Sequence, residues 1–198
     1  ARISFIMILS ILLEGGKMKK IRQEKLKCDD EQRIEEFIKH ARTGYLGLYD
    51  GNFPYVVPLN FVWMNGAIYF HGAAEGRKIR LIQENANCCF TIAEEYGTMV
   101  SPVPAKTSTA YMSVMMFGKV EIIHDLIEAT EALQAMLDKY VPGYYGDRKL
   151  SPSHVEKYRS SLGSHTVVFK IVPEIKTAKE NPFNPERAFI PDRNIKTD

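Results

Sequence analysis

Little in this chain announces a familiar chemistry, and each shortage narrows the field. Three cysteines, Cys28, Cys88 and Cys89, are present among 198 residues. They form no C-x-x-C pair and no metal-ligand spacing, so neither a disulfide framework nor a cysteine zinc site is indicated. The adjacent Cys88 and Cys89 lie in an apolar stretch and read as buried reduced thiols, as expected of a cytoplasmic protein. Charge of one sign is also lacking. With 26 Lys and Arg against 24 Asp and Glu, the formal net charge is +2, which argues for neither nucleic acid nor an anionic membrane as partner. Long hydrophobic runs are missing: residues 4–13, SFIMILSILL, are too short to span a bilayer, and no small-x-small cleavage site follows. Met18 opens MKKIRQEK like a natural start, so residues 1–17 are set aside as an upstream or added segment. The five histidines, His40, His71, His124, His154 and His165, show no metal spacing on any one element. G-x-G-x-x-G, the P-loop, H-E-x-x-H and G-x-S-x-G are all absent, which disfavours a dinucleotide-binding Rossmann domain, a zincin and an α/β-hydrolase.

What is present is a series of strand patterns with helices inserted between some of them, in a chain that is 45% hydrophobic, enough for one globular domain, or one domain and a tail. Asp29 or Asp30 can cap a helix whose apolar face is Ile34, Phe37, Ile38 and Ala41. Residues 43–50 read as a strand. Residues 54–64 and 67–72 read as a hairpin about Asn65-Gly66, the pair best suited to two consecutive positive φ angles. A short helix over 75–85 and a strand over 87–94 follow, then a Ser/Pro/Thr-rich loop over 101–109 and a long strand over 111–124 with a bend or bulge at Gly118. Asp125 opens the clearest helix, with Leu126, Ala129, Leu133, Met136, Leu137 and Tyr140 on one stripe and Pro142-Gly143 as its stop. Ser151 and Pro152 open a further short helix, residues 164–172 a last strand, and residues 180–198 an extended tail. About six mostly antiparallel strands with inserted helices point to a small β-barrel with peripheral α-helices.

Three features carry chemistry. Residues 73–80, AAEGRKIR, run from a strand end into a helix start, where free N–H groups favour an anion. Arg77 and Lys78 in that first turn oppose the helix dipole unless an anion is bound; solvated surface cations are the plainer alternative. Pro58 interrupts an apolar strand, removing one donor and blocking a ladder there, with Asn60 on the same face able to donate and accept. An edge strand with Asn60 in solvent accounts for the same pattern. His71, beside Gly72, closes its strand and is either a hydrogen-bonded structural residue or a group set against a cofactor. Tyr69, Tyr111 and Trp63 could stack on a ring or simply fill the core.

PYVVPLNFVWMNGAIYFHGAAEGRKIRLIQENANCCFTI followed by YMSVMMFGKVEII resembles the pyridoxamine 5′-phosphate oxidase-related flavoproteins, in particular the nitroimidazole-resistance, flavin-nucleotide-binding branch. The resemblance runs from about Met18 to about Lys179 and rests on residues 57–61, 69–73 with 76–78, and 113–121. It implies a mainly β fold over residues 18–179, a six-stranded antiparallel Greek-key FMN-binding split barrel with peripheral helices. It also implies a homodimer with one FMN in each of two clefts between subunits. Val57, Pro58, Leu59 and Asn60 would then lie along the isoalloxazine, with Arg77 and Lys78 at the phosphate. His71 would sit near the flavin with Tyr69 and Gly72 on its strand, and Tyr111, Ser113 and Val114 on a neighbouring strand at the cleft. The implied activity is NAD(P)H-dependent reduction of a small acceptor such as a nitroaromatic or quinone, with His71 as a proton donor. A non-catalytic flavin carrier, or a haem-binding barrel using His71 as axial ligand, is the alternative. Pyridoxamine phosphate oxidation ranks lowest, because the tail after Glu180 lacks the arginine–histidine pattern of the vitamin B6 oxidases.

Overall fold

The computed structural model describes residues 21–159 and 163–196; the segment 1–17 lies outside them. Seven strands, β1 (Gly44–Tyr49), β2 (Pro54–Leu59), β3 (Val62–Met64), β4 (Ala67–Ala73), β5 (Asn87–Met99), β6 (Ser108–Ile123) and β7 (Thr166–Asn181), form one antiparallel sheet in the order β2-β1-β5-β6-β7-β4-β3. Among the described residues four α-helices accompany it: α1 (Glu31–His40), α2 (Arg77–Glu84), α3 (Leu126–Tyr140) and α4 (Pro152–Val155). The mainly β split-barrel expectation holds, with one correction to the strand count. The stretch 54–64 is two strands rather than one, and they lie at opposite edges of the sheet. Only β3 pairs with β4 across the Asn65-Gly66 turn, whose φ angles are 52° and 75°. Upstream, β2 pairs with β1, with Pro58 opposite Tyr45 and Leu59 opposite Gly44. Asn60 and Phe61 alone join the two edges, and three residue steps span at most about 11 Å. The sheet therefore curls until its edges meet, yet its hydrogen-bonded ladder stays open there.

This arrangement explains Pro58. β2 has a neighbour on one side only, so a missing donor is tolerated there. β7 also differs from the expected 164–172. It runs on to Asn181 because Pro173 sits at a bulge: Phe117 faces Ile175 and Gly118 faces Pro173, leaving Glu174 as the extra residue. Gly118 is needed for the close approach, since a Cβ there would lie 2.6 Å from the Val172 carbonyl oxygen. Beyond β7 the chain crosses to the far end of β5. Ala188 bridges Met99, Phe189 N donates to the Thr98 carbonyl, and Arg187 donates to the carbonyls of Val100 and Lys106.

Alternation sets the faces. Ala110, Met112, Val114 and Met116 are buried on one side of β6, while Tyr111, Ser113, Met115 and Phe117 lie on the other. The interior is aromatic: Phe70 stacks on Phe169 at 4.9 Å and Phe61 meets Phe90 edge-on at 5.2 Å. Asp30 caps α1 by accepting from Arg33 N, and Asp125 caps α3 by accepting from Ile127 N and Glu128 N. Ser151 departs from expectation: its hydroxyl meets Ser153 and His154 side chains, leaving α4 without a side-chain cap. Cys28, Cys88 and Cys89 are free, and burial pushes the Cys88 thiol up to about 12.

Candidate functional site

The strongest local anomaly is Lys78. It lies in the first turn of α2, half-buried, with its ammonium 5.5 Å from the Phe70 ring centroid and 5.1 Å from that of Phe169. Among the described residues it has no carboxylate partner and no hydrogen-bond acceptor. Burial alone pulls its pKa below the usual lysine value. Gly72 makes the seat, since a Cβ at that position would collide with Lys78 Nζ. The helix begins at Gly76, whose φ of 104° suits glycine and whose missing side chain leaves the first turn of N–H groups uncapped. Uncapped N–H groups at a helix start, with an unpaired cation in the same turn, are features that favour an anion. His71 does not close its strand, since β4 runs on through Gly72 to Ala73; its side chain is exposed on one face, and desolvation by its surroundings, then the Lys78 charge, lowers its pKa, so the imidazole is neutral at pH 7.

Arg77 is placed differently from its neighbour. Its guanidinium pairs with Asp50 and lies over the Tyr55 ring at 4.6 Å, tying α2 to the β1–β2 turn. The Asp50 carboxyl is held down at about 2, first by the Phe53 amide, then by Arg77 and the Asn52 amide. Arg77 thus has a partner where Lys78 has none.

Val57 and Leu59 are half-buried on β2, Pro58 faces outward, and Asn60 is exposed at the crossover between the barrel edges. Tyr69 is 1% exposed, and its hydroxyl donates to Glu128 Oε1 at 2.7 Å, an atom that also accepts from Lys170 Nζ at 2.8 Å. Its ring is thereby held under α3. Tyr111 and Ser113 are half-exposed on the outer face of β6, whereas Val114 is fully buried.

The register shows which of these come together. His71 pairs with Val168, and Val168 with Ile123. Ser113 lies ten residues along β6 from Ile123, roughly 33 Å at strand rise. Within one chain, then, Tyr111 and Ser113 are remote from His71 and Lys78. The outer face near Tyr111 and Ser113 is apolar, with Tyr45 (43% exposed), Val56 (57%) and Met115 (40%) in the open. There Tyr45, Gly47, Tyr49, Val56, Cys89 and Phe117 line a depression of about 630 Å³.

Sequence reading missed three groups: Asp50, the Glu128–Lys170 pair, and the last turn of α3. There Lys139 Nζ donates to the Phe61 carbonyl at 3.0 Å, and burial, with Arg42 nearby, pushes its pKa down to about 8. The only signal for the last was that Tyr140 ended an apolar stripe. Among the described residues no cluster of three metal-ligating side chains occurs, and no helix is long and apolar enough to cross a membrane.

An antiparallel sheet in this strand order, curled until its edges meet but unpaired between them, is a split barrel. A family model described as pyridoxamine 5′-phosphate oxidase matches residues 30–180, and the chain belongs to that family. It is 31% identical to a candidate 5-nitroimidazole antibiotic resistance protein from Bacteroides thetaiotaomicron, covering 78% of this chain and 86% of that one at a TM-score of 0.60. The fold is shared with the flavocytochrome Anf3 from Azotobacter vinelandii, at 21% identity, TM-score 0.68 and coverage of 84% and 76% of the two chains. It is shared too with the FAD and heme binding protein from Mycobacterium smegmatis, at 17% identity, TM-score 0.66 and coverage of 81% and 77%. No curated protein matches the chain.

Proposed function

We propose that this chain is an FMN-binding flavoprotein that uses NAD(P)H to reduce small acceptors such as nitroaromatics or quinones. The observation that carries the cofactor is the unpartnered, half-buried Lys78 ammonium seated against Gly72 at the open end of α2. A phosphate monoester fits that donor set: one cation and the uncapped amides of the first turn. The nature of the acceptor is supported by the relative at 31% identity, a candidate nitroimidazole-resistance protein.

In this reading Lys78 holds the phosphate, and Arg77, fixed by Asp50, borders it. Asn60 and the backbone of Val57, Pro58 and Leu59 offer donors and acceptors to the pyrimidine edge, where Pro58 leaves the strand edge unpaired. His71, neutral at pH 7, presents one N–H and one acceptor nitrogen. The flavin, when bound, supplies hydride acceptance and one- or two-electron delivery. A homodimer belongs to the same proposal. The apolar outer face needs cover, and a second copy would bring its Tyr111 and Ser113 to a site that one chain leaves without them, whereas Val114 faces the core and takes no part.

The test is the visible spectrum of the purified protein, followed by identification of what denaturation releases and a turnover assay with NADH or NADPH and a nitroaromatic. Released FMN at one per chain with acceptor-dependent turnover is expected. A protein that is colourless and fails to bind added FMN overturns the proposal; a Soret band without flavin favours the haem-binding alternative instead.

A further inference from the structure

Phe61 is fully buried, yet it belongs to no strand, because it lies in the two-residue step between the barrel's edges. Its main-chain N–H and C=O therefore have no ladder partners, and buried peptide groups must be paired. The last turn of α3 supplies both partners. The Tyr140 hydroxyl accepts from Phe61 N–H at 2.9 Å, and Lys139 Nζ donates to the Phe61 carbonyl at 3.0 Å. A hydroxyl has one hydrogen to give. Tyr140 has two carbonyls in reach, that of Arg42 at 2.6 Å and that of Phe61 at 3.0 Å. The shorter contact takes the proton, and the Phe61 oxygen is left to Lys139. One phenol thus joins α3, the residue leading toward β1, and the crossover itself. The cations pack around it: Arg42 lies 4.9 Å from the Tyr140 ring and Lys139 4.0 Å from the Phe61 ring.

The Phe61 N–H held by Tyr140 belongs to the peptide that joins it to the exposed Asn60, while the Phe61 carbonyl held by Lys139 belongs to the next peptide, so the two contacts fix Phe61 on both sides. We propose that Tyr140, backed by Lys139, is a positioning residue that fixes the Asn60–Phe61 peptide, and so the orientation in which Asn60 meets the ring end of the cofactor. The inference rests on the flavin reading. A purely structural clamp would tie the barrel shut without bearing on the flavin ring.

The experiment compares Tyr140→Phe with Leu133→Ala, which weakens the same helix from the core side without touching the crossover. Amide exchange is followed at Phe61 in the FMN-free protein. Dissociation constants for FMN and riboflavin and the flavin midpoint potential are then measured on each full chain. Tyr140→Phe is expected to lose Phe61 amide protection and to weaken FMN and riboflavin by the same factor, about tenfold. The midpoint potential should move as well, while Leu133→Ala lowers the melting temperature and leaves both binding and potential near wild type. Unchanged binding and potential in Tyr140→Phe, or equal changes in Leu133→Ala, overturn the positioning role alone. A wild-type chain that binds neither flavin overturns the flavin reading and this role with it.

Discussion

Lys78→Met separates a binding lysine from a structural one, because the two roles predict opposite signs. The methionine keeps most of the apolar stem over Phe70 and Phe169 and removes only the ammonium. What the free protein loses is a cation–π contact of about 0.5–1 kcal/mol. What it gains is relief from holding an unpaired charge in a half-buried seat, the condition that lowers the Lys78 pKa. The FMN-free variant is therefore expected to be as stable as the wild type or more so. Binding moves the other way. Two unit charges about 4 Å apart attract by about 4 kcal/mol at an effective dielectric near 20. After desolvation, a charge-assisted hydrogen bond retains about 1.5–3 kcal/mol, which is roughly 10- to 150-fold in affinity. Flavin fluorescence titration reads this directly, and riboflavin, which lacks the phosphate, is the internal control. The variant should lose about 10- to 150-fold of the wild-type preference for FMN over riboflavin, with riboflavin affinity unchanged. Equal FMN affinity in both proteins, with the wild-type preference for FMN over riboflavin intact, would refute the argument. The pH dependence has a definite sign. With its folded pKa below 10.5, Lys78 binds fewer protons in the folded chain than in the unfolded one across that alkaline window. Stability therefore rises with pH there. A bound phosphate restores the charge, so FMN binding in the window takes up a proton and weakens as pH rises.

Asp50→Asn keeps the oxygen that accepts from the Phe53 and Asn52 amides but loses the charge facing Arg77. Because the folded Asp50 pKa is about 2 against 3.8, its contribution is present above pH 4 and lost as pH falls toward 2. Thermal melts of the variant should be flatter over that range, and an unchanged acid slope would count against the pair. Gly118→Ala forces a Cβ to 2.6 Å from the Val172 carbonyl oxygen and is expected to destabilise by about 1–3 kcal/mol in urea titrations; a neutral effect would mean the bulge is free to shift. Val56→Glu puts a charge on the exposed apolar face of β2. By sedimentation, the wild type is expected as a two-chain species and the variant as a monomer with weakened FMN binding. A wild type that sediments as one chain defeats the dimer proposal.

The local features are legible in the sequence because each rests on neighbours in the chain. Asp30 and Asp125 cap their helices, Asn65-Gly66 turns its hairpin, and Gly118 marks the bulge, all from short-range sterics and hydrogen bonding. The mainly β class and the helix start after Gly76 were legible for the same reason. Pairing across distance was not. Nothing in residues 54–64 says that the first half joins β1 and the second half β4, because alternation fixes faces and leaves open which strand lies alongside. Nor do adjacent arginine and lysine codons reveal that Arg77 is neutralised by Asp50, 27 residues away, while Lys78 turns back over two phenylalanines without a partner. Tyr69 was read as a possible ring-stacking residue and is held by Glu128, brought to it by the packing of α3. Sequence settled element type and local turns, which depend on φ/ψ preference and spacing. Only the curl of the sheet and the packing of the helices on it decided which charges are paired, which peptide groups need a helix to satisfy them, and which ammonium has no partner.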